Sequence, residues 1–419
     1  MLETPAPPLT RSAVPTLADI EAARAVVSNV AQTTPLETSR YLAEVLGSEV
    51  LLKLENLQRT GSYKIRGAYY RMSRLSPEER ARGVVAASAG NHAQGVAFAA
   101  RELGIKATIF MPLGVALPKL QATRDYGADV LLRGHTVEEP LAAAAEYAAS
   151  TGAVLIPPFD HPDVIVGQGT LGLEIYDQAP PFDTIIVPIG GGGLISGVAS
   201  AVKQRAAAEG RTIRVIGVQA ANAAAYPPSL AVGEATVIRT SATIADGINV
   251  AKPGLLNFEI IRELVDEIVT VTEADIARAI LVLLERAKLV VEPAGAVGVA
   301  AILSGQLSNL GTTVTVLSGG NIDPLLMQRV ISNGLAASDR YLKLKIMLPD
   351  RPGQLARTAE IVAEANANVI EVLHTRHGRG LQLSEVELEL SVETRGPEHR
   401  AEVVAKLRDA GYDARLVLD

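Results

Sequence analysis

The stretch Asp183-Thr184-Ile185-Ile186-Val187-Pro188-Ile189-Gly190-Gly191-Gly192-Gly193-Leu194-Ile195-Ser196, written DTIIVPIGGGGLIS, decides the fold class. Its first half is a short apolar, β-branched run, which reads as a strand buried on both faces. Four glycines follow, and LISGVASAVKQRAA then takes up a helical pattern. A strand that passes through a Gly-rich turn into a helix is the repeating unit of an α/β fold. One or two glycines suffice for a tight turn. Four of them expose successive backbone N–H groups at the positive end of a helix, which suits a phosphate. The turn is not a P-loop, because no Gly-Lys-Ser/Thr follows, and it is not a spaced G-x-G-x-x-G.

The same grammar extends outward in both directions. VVAAS leads through AGNH into AQGVAFAAREL, ATIFMP precedes LPKLQATRDYG and ADVLLRG, and an Ala-rich helical run ends at Gly152 before AVLIPPF. TIRVIGVQ is a further strand, and TTVTVLSGGN ends the series in another Gly-rich turn. These are βαβ units around a buried parallel sheet. After Asn333 the pattern changes: GLAASDR reads as a linker, and YLKLKIMLPD alternates as a strand with one face buried. QLARTAEIVAEAN reads as a helix, ANVIEVLHTR and LQLSEVELELSVE as strands, EHRAEVVAKLRDAG as a helix and DARLVL as a last strand. That βαββαβ order is ferredoxin-like and makes a separate small domain.

Composition narrows the function classes. The 419 residues exceed one ordinary core, so two or three domains are expected. A net charge of -7, with no basic block, argues against nucleic acid or an anionic membrane as the main partner. No cysteine and six histidines leave no disulfides and little metal chemistry. The start, MLETPAPPLTRSAVPT, lacks the apolar core of a signal peptide, and no apolar run approaches the ~18 residues of a membrane span. A cytoplasmic globular protein is expected.

Chemistry-bearing residues are few. Lys64 lies in GSYKIRGA, residues 61–68, among small and apolar neighbours. A solvated lysine in a first helical turn is the ordinary alternative. Ser88-Ala89-Gly90-Asn91-His92 forms a strand-to-helix turn whose small residues and free N–H groups suit a carboxylate; a simple helix cap reads equally well. Ser318-Gly319-Gly320-Asn321 is a third such turn. His92 alone reads as a hydrogen-bonded structural group, and His374 and His377 have no thiolate or carboxylate cluster, so no metal ligand is assigned. Taken together, a lysine among glycines, a phosphate cradle, a carboxylate-sized nest and a hydroxyl at a strand end are what a pyridoxal phosphate enzyme needs.

GSYKIRGA, SAGNHAQG, PIGGGGL, TIADG, VEPAGA and SGGN occur in this order. The series closely resembles the fold-type II pyridoxal phosphate enzymes, specifically the threonine dehydratases. LPDRPGQLA and ANVIEV resemble the ACT domain, an amino-acid sensing module. The resemblance implies two open, twisted, parallel-sheet α/β domains, as in the tryptophan synthase β chain, plus the ferredoxin-like tail. The catalytic region would span 17–335, with a smaller subdomain at about 55–160, a linker at 336–340 and the ACT domain at 341–419.

By the same resemblance, Lys64 would bind the cofactor covalently and later take the substrate Cα proton. Tyr63 would lie against the ring, Asn91 would bond its 3′-hydroxyl, and Ser318 would face its nitrogen. Gly190, Gly191, Gly192, Gly193 and Leu194 would hold the phosphate, and Glu292 would border the site. Ser88, Ala89, Gly90, Asn91 and His92 would hold the substrate carboxylate. In the tail, Pro352, Gly353, Gln354, Leu355, Asn368, Val369 and Ile370 would meet an isoleucine- or valine-like effector.

The implied activity is dehydration and deamination of L-threonine and L-serine in isoleucine synthesis, by a homodimer or homotetramer. Two departures from relatives stand out. Serine racemases carry a second serine where this chain has Ala89, and metal-dependent relatives carry carboxylates where this chain has Gln219 and AANAAA. Alternatives are another β-elimination or β-replacement enzyme, such as a serine racemase or a sulfhydrylase-like synthase, and a non-catalytic amino-acid sensor.

Overall fold

The computed structural model describes residues 14–136, 138–337, 339–376 and 384–417, so His377 lies outside the described residues. The chain divides into two compact units, residues 1–324 and 325–419. Among the described residues no helix is long and apolar enough to cross a membrane.

The first unit holds two sheets. The strands of the larger are β1 (Leu36–Thr38), β2 (Val50–Lys53), β7 (Thr184–Pro188), β8 (Arg214–Ala220), β9 (Glu267–Val271) and β10 (Thr313–Val316). Their order is β1-β2-β10-β7-β8-β9, parallel except for the β1–β2 pair. The smaller sheet, all parallel, is built from β3 (Val84–Ala87), β4 (Ala107–Met111), β5 (Asp129–Leu132) and β6 (Val154–Leu155), in the order β5-β4-β3-β6. Every residue of β7 is buried, which is why DTIIVPI runs apolar instead of alternating.

Helix ends follow local chemistry. Thr16 with Asp19, Ser76 with Glu79 and Thr272 with Asp275 form reciprocal capping boxes. Gly47 and Gly104 close their helices in the left-handed conformation.

The 17-residue helix Pro162–Gln178 carries three glycines, a composition that disfavours helix. Packing accounts for them. A β-carbon at Gly167 would lie 2.7 Å from the Cα of Gly67, so the two helix backbones touch there. The helix Lys64–Ser73 is thereby seated on the helix Pro162–Gln178.

A buried charge network fixes the same junction. Lys53, fully buried at the end of β2, donates to Thr34 O at 2.7 Å, Glu174 Oε1 at 2.6 Å and Gln178 Oε1 at 2.6 Å. Arg66 donates from Nε and Nη2 to the two oxygens of Glu55, each at 2.8 Å, and from Nη2 to Glu174 at 2.9 Å. Thr34 donates its hydroxyl to Glu55 at 2.7 Å. Two cations face two carboxylates with their hydrogen bonds made, the condition under which buried charge is tolerated.

After the helix Pro324–Ala337, the described residues of the second unit form one antiparallel sheet with two further helices. Its strands are β11 (Tyr341–Pro349), β12 (Asn368–Thr375), β13 (Glu385–Glu393) and β14 (Asp413–Leu416), in the order β12-β13-β11-β14. The helices Gln354–Glu364 and Pro397–Asp409 are interleaved in sequence, giving the ferredoxin-like arrangement. β11 alternates strictly, with Leu342, Leu344, Ile346 and Leu348 buried. The helix Pro324–Ala337 includes Gly334 to Ala337, so the segment read as a linker begins inside a helix.

Candidate active site

Lys64 is the first residue of its helix, with Tyr63 at the cap position. A β-carbon on Gly95 would come 3.2 Å from the Lys64 carbonyl carbon, so the helix Asn91–Leu103 passes against this backbone because Gly95 has none. The Lys64 amine donates to Pro158 O at 2.9 Å and lies 5.3 Å from the Tyr63 ring centre. No carboxylate pairs with it among the described residues. Desolvation in the cleft lowers its pKa from 10.5 to about 8, against the pull of Glu292.

The glycine turn reaches the same segment. β-Carbons at Gly191 and Gly193 would run into Phe159, the residue after Pro158. Gly192 adopts φ +102°, where a side chain is strained, and a β-carbon there would overlap the Tyr226 hydroxyl. Tyr226 donates that hydroxyl to Gly191 O at 3.0 Å, holding the turn from behind. The helix Gly193–Ala208 begins with no side-chain cap, leaving its first N–H groups to a ligand.

The other turns close the ring. Asn91 donates from Nδ2 to Glu292 Oε1 at 2.6 Å and accepts at Oδ1 from Asn321 Nδ2 at 2.8 Å. Asn321 also donates to Thr60 O at 2.7 Å, and a β-carbon on Gly61, at φ +69°, would collide with it. Glu292 N–H donates to Gly319 O at 3.0 Å, and Tyr63 N–H donates to Ser318 O at 3.2 Å. Ser62 and Gly319 form an isolated antiparallel bridge. Five of the six motifs, scattered along the sequence from Gly61 to Asn321, are thus stitched together by named bonds and contacts.

Glu292 and His92 are displaced as well as Lys64. Burial, then Asp246, push the Glu292 carboxyl up to about 7, opposed by the Asn91 hydrogen bond and two lysines. Burial, then the Lys64 charge, push His92 down to about 3. A neutral His92 places its Nε2 proton on Ile156 O at 2.9 Å, which pins the start of its helix to the chain just beyond β6. Ser88 Oγ accepts from Gly90 N at 3.2 Å and shapes the turn, while Ala89 contributes a methyl group. Ser318 is buried at the end of β10.

Sequence reasoning assigned no role to Pro158, Phe159 or Asn321. In the sequence SGGN points to its serine, and AVLIPPF only to a strand with its flanks. Gln219, the position compared with metal-binding relatives, is engaged by its own loop: Oε1 accepts from Tyr226 N at 3.0 Å. Among the described residues no His, Cys, Asp and Glu cluster is arranged to hold a metal.

In the second unit, Gly353 caps the helix Gln354–Glu364 at φ +89°. Gln354 Oε1 accepts from the Tyr412 hydroxyl at 3.3 Å, and Leu355 is exposed on the same helix. Pro352 precedes this cap, and Asn368, Val369 and Ile370 open the edge strand β12, with Ile370 exposed. His374 is exposed on that strand.

Comparison with known proteins agrees with this geometry. Residues 27–319 match the family model of the pyridoxal-phosphate dependent enzymes, and residues 343–411 match the ACT domain. An L-threonine ammonia-lyase of Thermotoga maritima is 48% identical over 403 residues, covering 96% of this chain and 99% of its own. Among solved structures, a processed threonine deaminase isoform 2 from Solanum lycopersicum superposes with a TM-score of 0.71 at 36% identity, over 80% of this chain and 99% of its own. Maize serine racemase does so with a TM-score of 0.71 at 34% identity, over 77% of this chain and 98% of its own. The chain belongs to the family of pyridoxal-phosphate dependent enzymes and carries an ACT domain after the catalytic region.

Proposed function

We propose that this protein is an L-threonine ammonia-lyase, converting L-threonine to 2-oxobutyrate and ammonia and L-serine to pyruvate and ammonia. The observation that carries the reading is the Lys64 amine: enclosed, displaced toward neutrality, without a carboxylate partner, and bonded to Pro158 beside the glycine turn. The choice of threonine rests on the relative that matches along nearly its whole length.

The residues fit pyridoxal phosphate. The glycine turn has no room for side chains and opens an uncapped helix, so Gly190 to Gly193 and Leu194 would hold the phosphate. Asn91 would bond the 3′-hydroxyl, Tyr63 would flank the ring, and Ser318 would face its nitrogen. When bound, the cofactor supplies an electron sink that makes the substrate Cα proton labile.

Lys64 Nζ takes that proton, and desolvation keeps the amine neutral enough to do so. Ser318 is a neutral hydroxyl and cannot stabilise a ring-nitrogen proton as an aspartate would, which favours loss of the β-hydroxyl over amino transfer. The Ser88–His92 turn holds the substrate carboxylate, and Glu292, bonded to Asn91 through Oε1, can hold a proton on Oε2. Ala89 leaves one face of the substrate without a hydroxyl donor, which speaks against racemisation despite the maize racemase likeness.

The ACT domain senses an isoleucine- or valine-like amino acid through Pro352 to Leu355 and Asn368 to Ile370, consistent with a role in isoleucine synthesis. The enzyme works as a cytoplasmic homodimer or homotetramer. The deciding experiment measures 2-oxobutyrate formation from L-threonine by the cofactor-loaded protein, with and without isoleucine or valine. Lys64→Ala is expected to lose both the product and the absorbance of lysine-bound cofactor; wild-type turnover in that variant overturns the reading. Asn368→Ala is expected to lose the effector response, and an unchanged response overturns the assignment of the sensor.

A further inference from the structure

TIADG, residues 243–247, has no part in the chemistry described so far, yet the structure fixes it firmly. Glu273 accepts from the Thr243 hydroxyl at 2.6 Å and from Ile244 N at 2.7 Å, and Thr243 Oγ1 accepts from Ala245 N at 3.1 Å. Beyond it, Ile248 backs the glycine turn: a β-carbon on Gly190 would lie 3.1 Å from its Cα. A β-carbon on Gly247 would lie 3.0 Å from that of Ala294, two residues past Glu292. Asp246 is therefore set on a rigid turn between the phosphate cradle and Glu292.

Its partner comes from the other sheet layer. Lys119, in the first turn of the helix Leu117–Asp125, donates to Asp246 Oδ2 at 2.7 Å. The two ends of this bridge differ in exposure. The Lys119 side chain is 15% exposed and that of Asp246 54%, so the cation is enclosed and the carboxylate faces water. Lys119 also faces the carboxylate-sized turn: its Nζ lies 4.0 Å from a β-carbon built on Gly90, and it acts electrostatically on Glu292.

We propose that Lys119 is the cation that receives the substrate carboxylate at the Ser88–His92 turn, and that Asp246 occupies it until substrate arrives. The proposal rests on the reading of that turn given above. Electrostatics support it. Asp246, and Glu292 once it loses its proton, repel an incoming carboxylate, and Lys64 is committed to the cofactor, so among the described residues Lys119 is the remaining cation shown at the turn. A carboxylate exposed to water forms a weak ion pair, so a ligand that adds backbone N–H donors at the turn can replace Asp246. The lysine stem is long and flexible enough to follow, whereas Asp246 is held by its turn.

A purely structural bridge between the two layers behaves differently, and the sign separates the two. If Asp246 competes with substrate, Asp246→Asn frees Lys119 and tightens carboxylate binding, while Lys119→Gln weakens it. If the pair only holds the layers together, both variants loosen the cleft in the same direction.

The test uses the cofactor-loaded full chain and two readouts. Calorimetric titration with L-2-hydroxybutyrate, a carboxylate with no amine to react with the cofactor, gives Kd directly. Steady-state kinetics with L-threonine gives KM and kcat separately. Lys119→Gln is expected to raise Kd and KM about tenfold, with a much smaller change in kcat, and Lys119→Arg to recover most of the loss. Asp246→Asn is expected to lower Kd. Loosening of Kd in both variants, or an unchanged Kd in Lys119→Gln, overturns the proposal. A wild-type enzyme that binds hydroxybutyrate with this pattern but does not turn over threonine sinks the proposed activity and leaves Lys119 as the carboxylate site.

Discussion

The displaced Lys64 amine has a consequence that can be measured without turnover. A pKa moved from 10.5 to about 8 corresponds to about 3.4 kcal/mol in favour of the neutral amine. At pH 7.5 about a quarter of the Lys64 side chains are then neutral, against about one in a thousand for an ordinary lysine. The perturbation is Glu292→Gln. The Glu292 carboxylate pulls the Lys64 pKa upward, so removing its charge lowers the midpoint further. The assay is labelling of amines in the cofactor-free protein by an uncharged acylating reagent between pH 6 and 11, followed peptide by peptide by mass spectrometry. Restricted access slows labelling but leaves the pH midpoint unchanged. The expected midpoint for Lys64 is near 8 in wild type and below that in Glu292→Gln. A midpoint at 10 or above, or an upward move in the variant, refutes the reasoning.

The same displaced groups act on stability. Glu292 is raised from 4.5 to about 7, so between those values the folded protein binds the extra proton and stability falls as pH rises. Glu292→Gln is therefore expected to stabilise the cofactor-free protein at pH 8 by up to about 3 kcal/mol, and much less at pH 4.5, in urea unfolding. Lys64 is lowered, so the unfolded chain holds the extra proton from about 8 to 10.5 and stability rises with pH across that window. In the buried network, Glu55→Gln and Arg66→Met are each expected to cost about 3–5 kcal/mol by leaving a charge without its partner. The double variant is expected to lose well under the sum; additive losses would mean the pair is not coupled. Gly191→Ala pushes a methyl group into Phe159 and is expected to weaken cofactor affinity about tenfold in a spectral titration. Gly114→Ala, where a β-carbon meets nothing within 4 Å, is its control.

The strands and turns of the catalytic fold were legible because buried parallel strands are apolar or β-branched along their length and their turns must free N–H groups. DTIIVPI, VVAAS and TTVTV all follow that rule, and so does the alternation of YLKLKIML in the second unit. The helix Pro162–Gln178 was not legible. Its glycines argue against helix locally and are required by close neighbours distant in the chain: Gly67 at Gly167, Ile20 and Gly197 at Gly169, and Val198 and Ala201 at Gly172. Propensity is a local quantity, and close helix crossing is not. Among the proposed site residues, the glycine turn stands out by composition, whereas Lys64 alone reads as a solvated lysine and stands out only beside the other motifs and the family resemblance. Asn321, Phe159 and Lys119 do not stand out, because each matters through a partner in a distant motif: Asn91 for the first, Gly191 for the second, Asp246 for the third.

Lys53 and Lys64 show what separates a structural lysine from one suited to the reactive role proposed here for Lys64. Both lie in the same segment, and both are desolvated with pKa values below the ordinary lysine range. Lys53 has three donor protons and three acceptors, Thr34, Glu174 and Gln178, all within 2.7 Å. Its charge is matched by Glu174, and losing a proton would leave one of the three acceptors without its Lys53 donor. Lys64 has one neutral acceptor, Pro158 O, so its amine gives up a proton without leaving a carboxylate unpaired. Adding a carboxylate beside Lys64 would convert it into a second Lys53, charged and inert as a nucleophile. The lysine proposed to react is set apart less by what surrounds it than by the carboxylate acceptor it lacks.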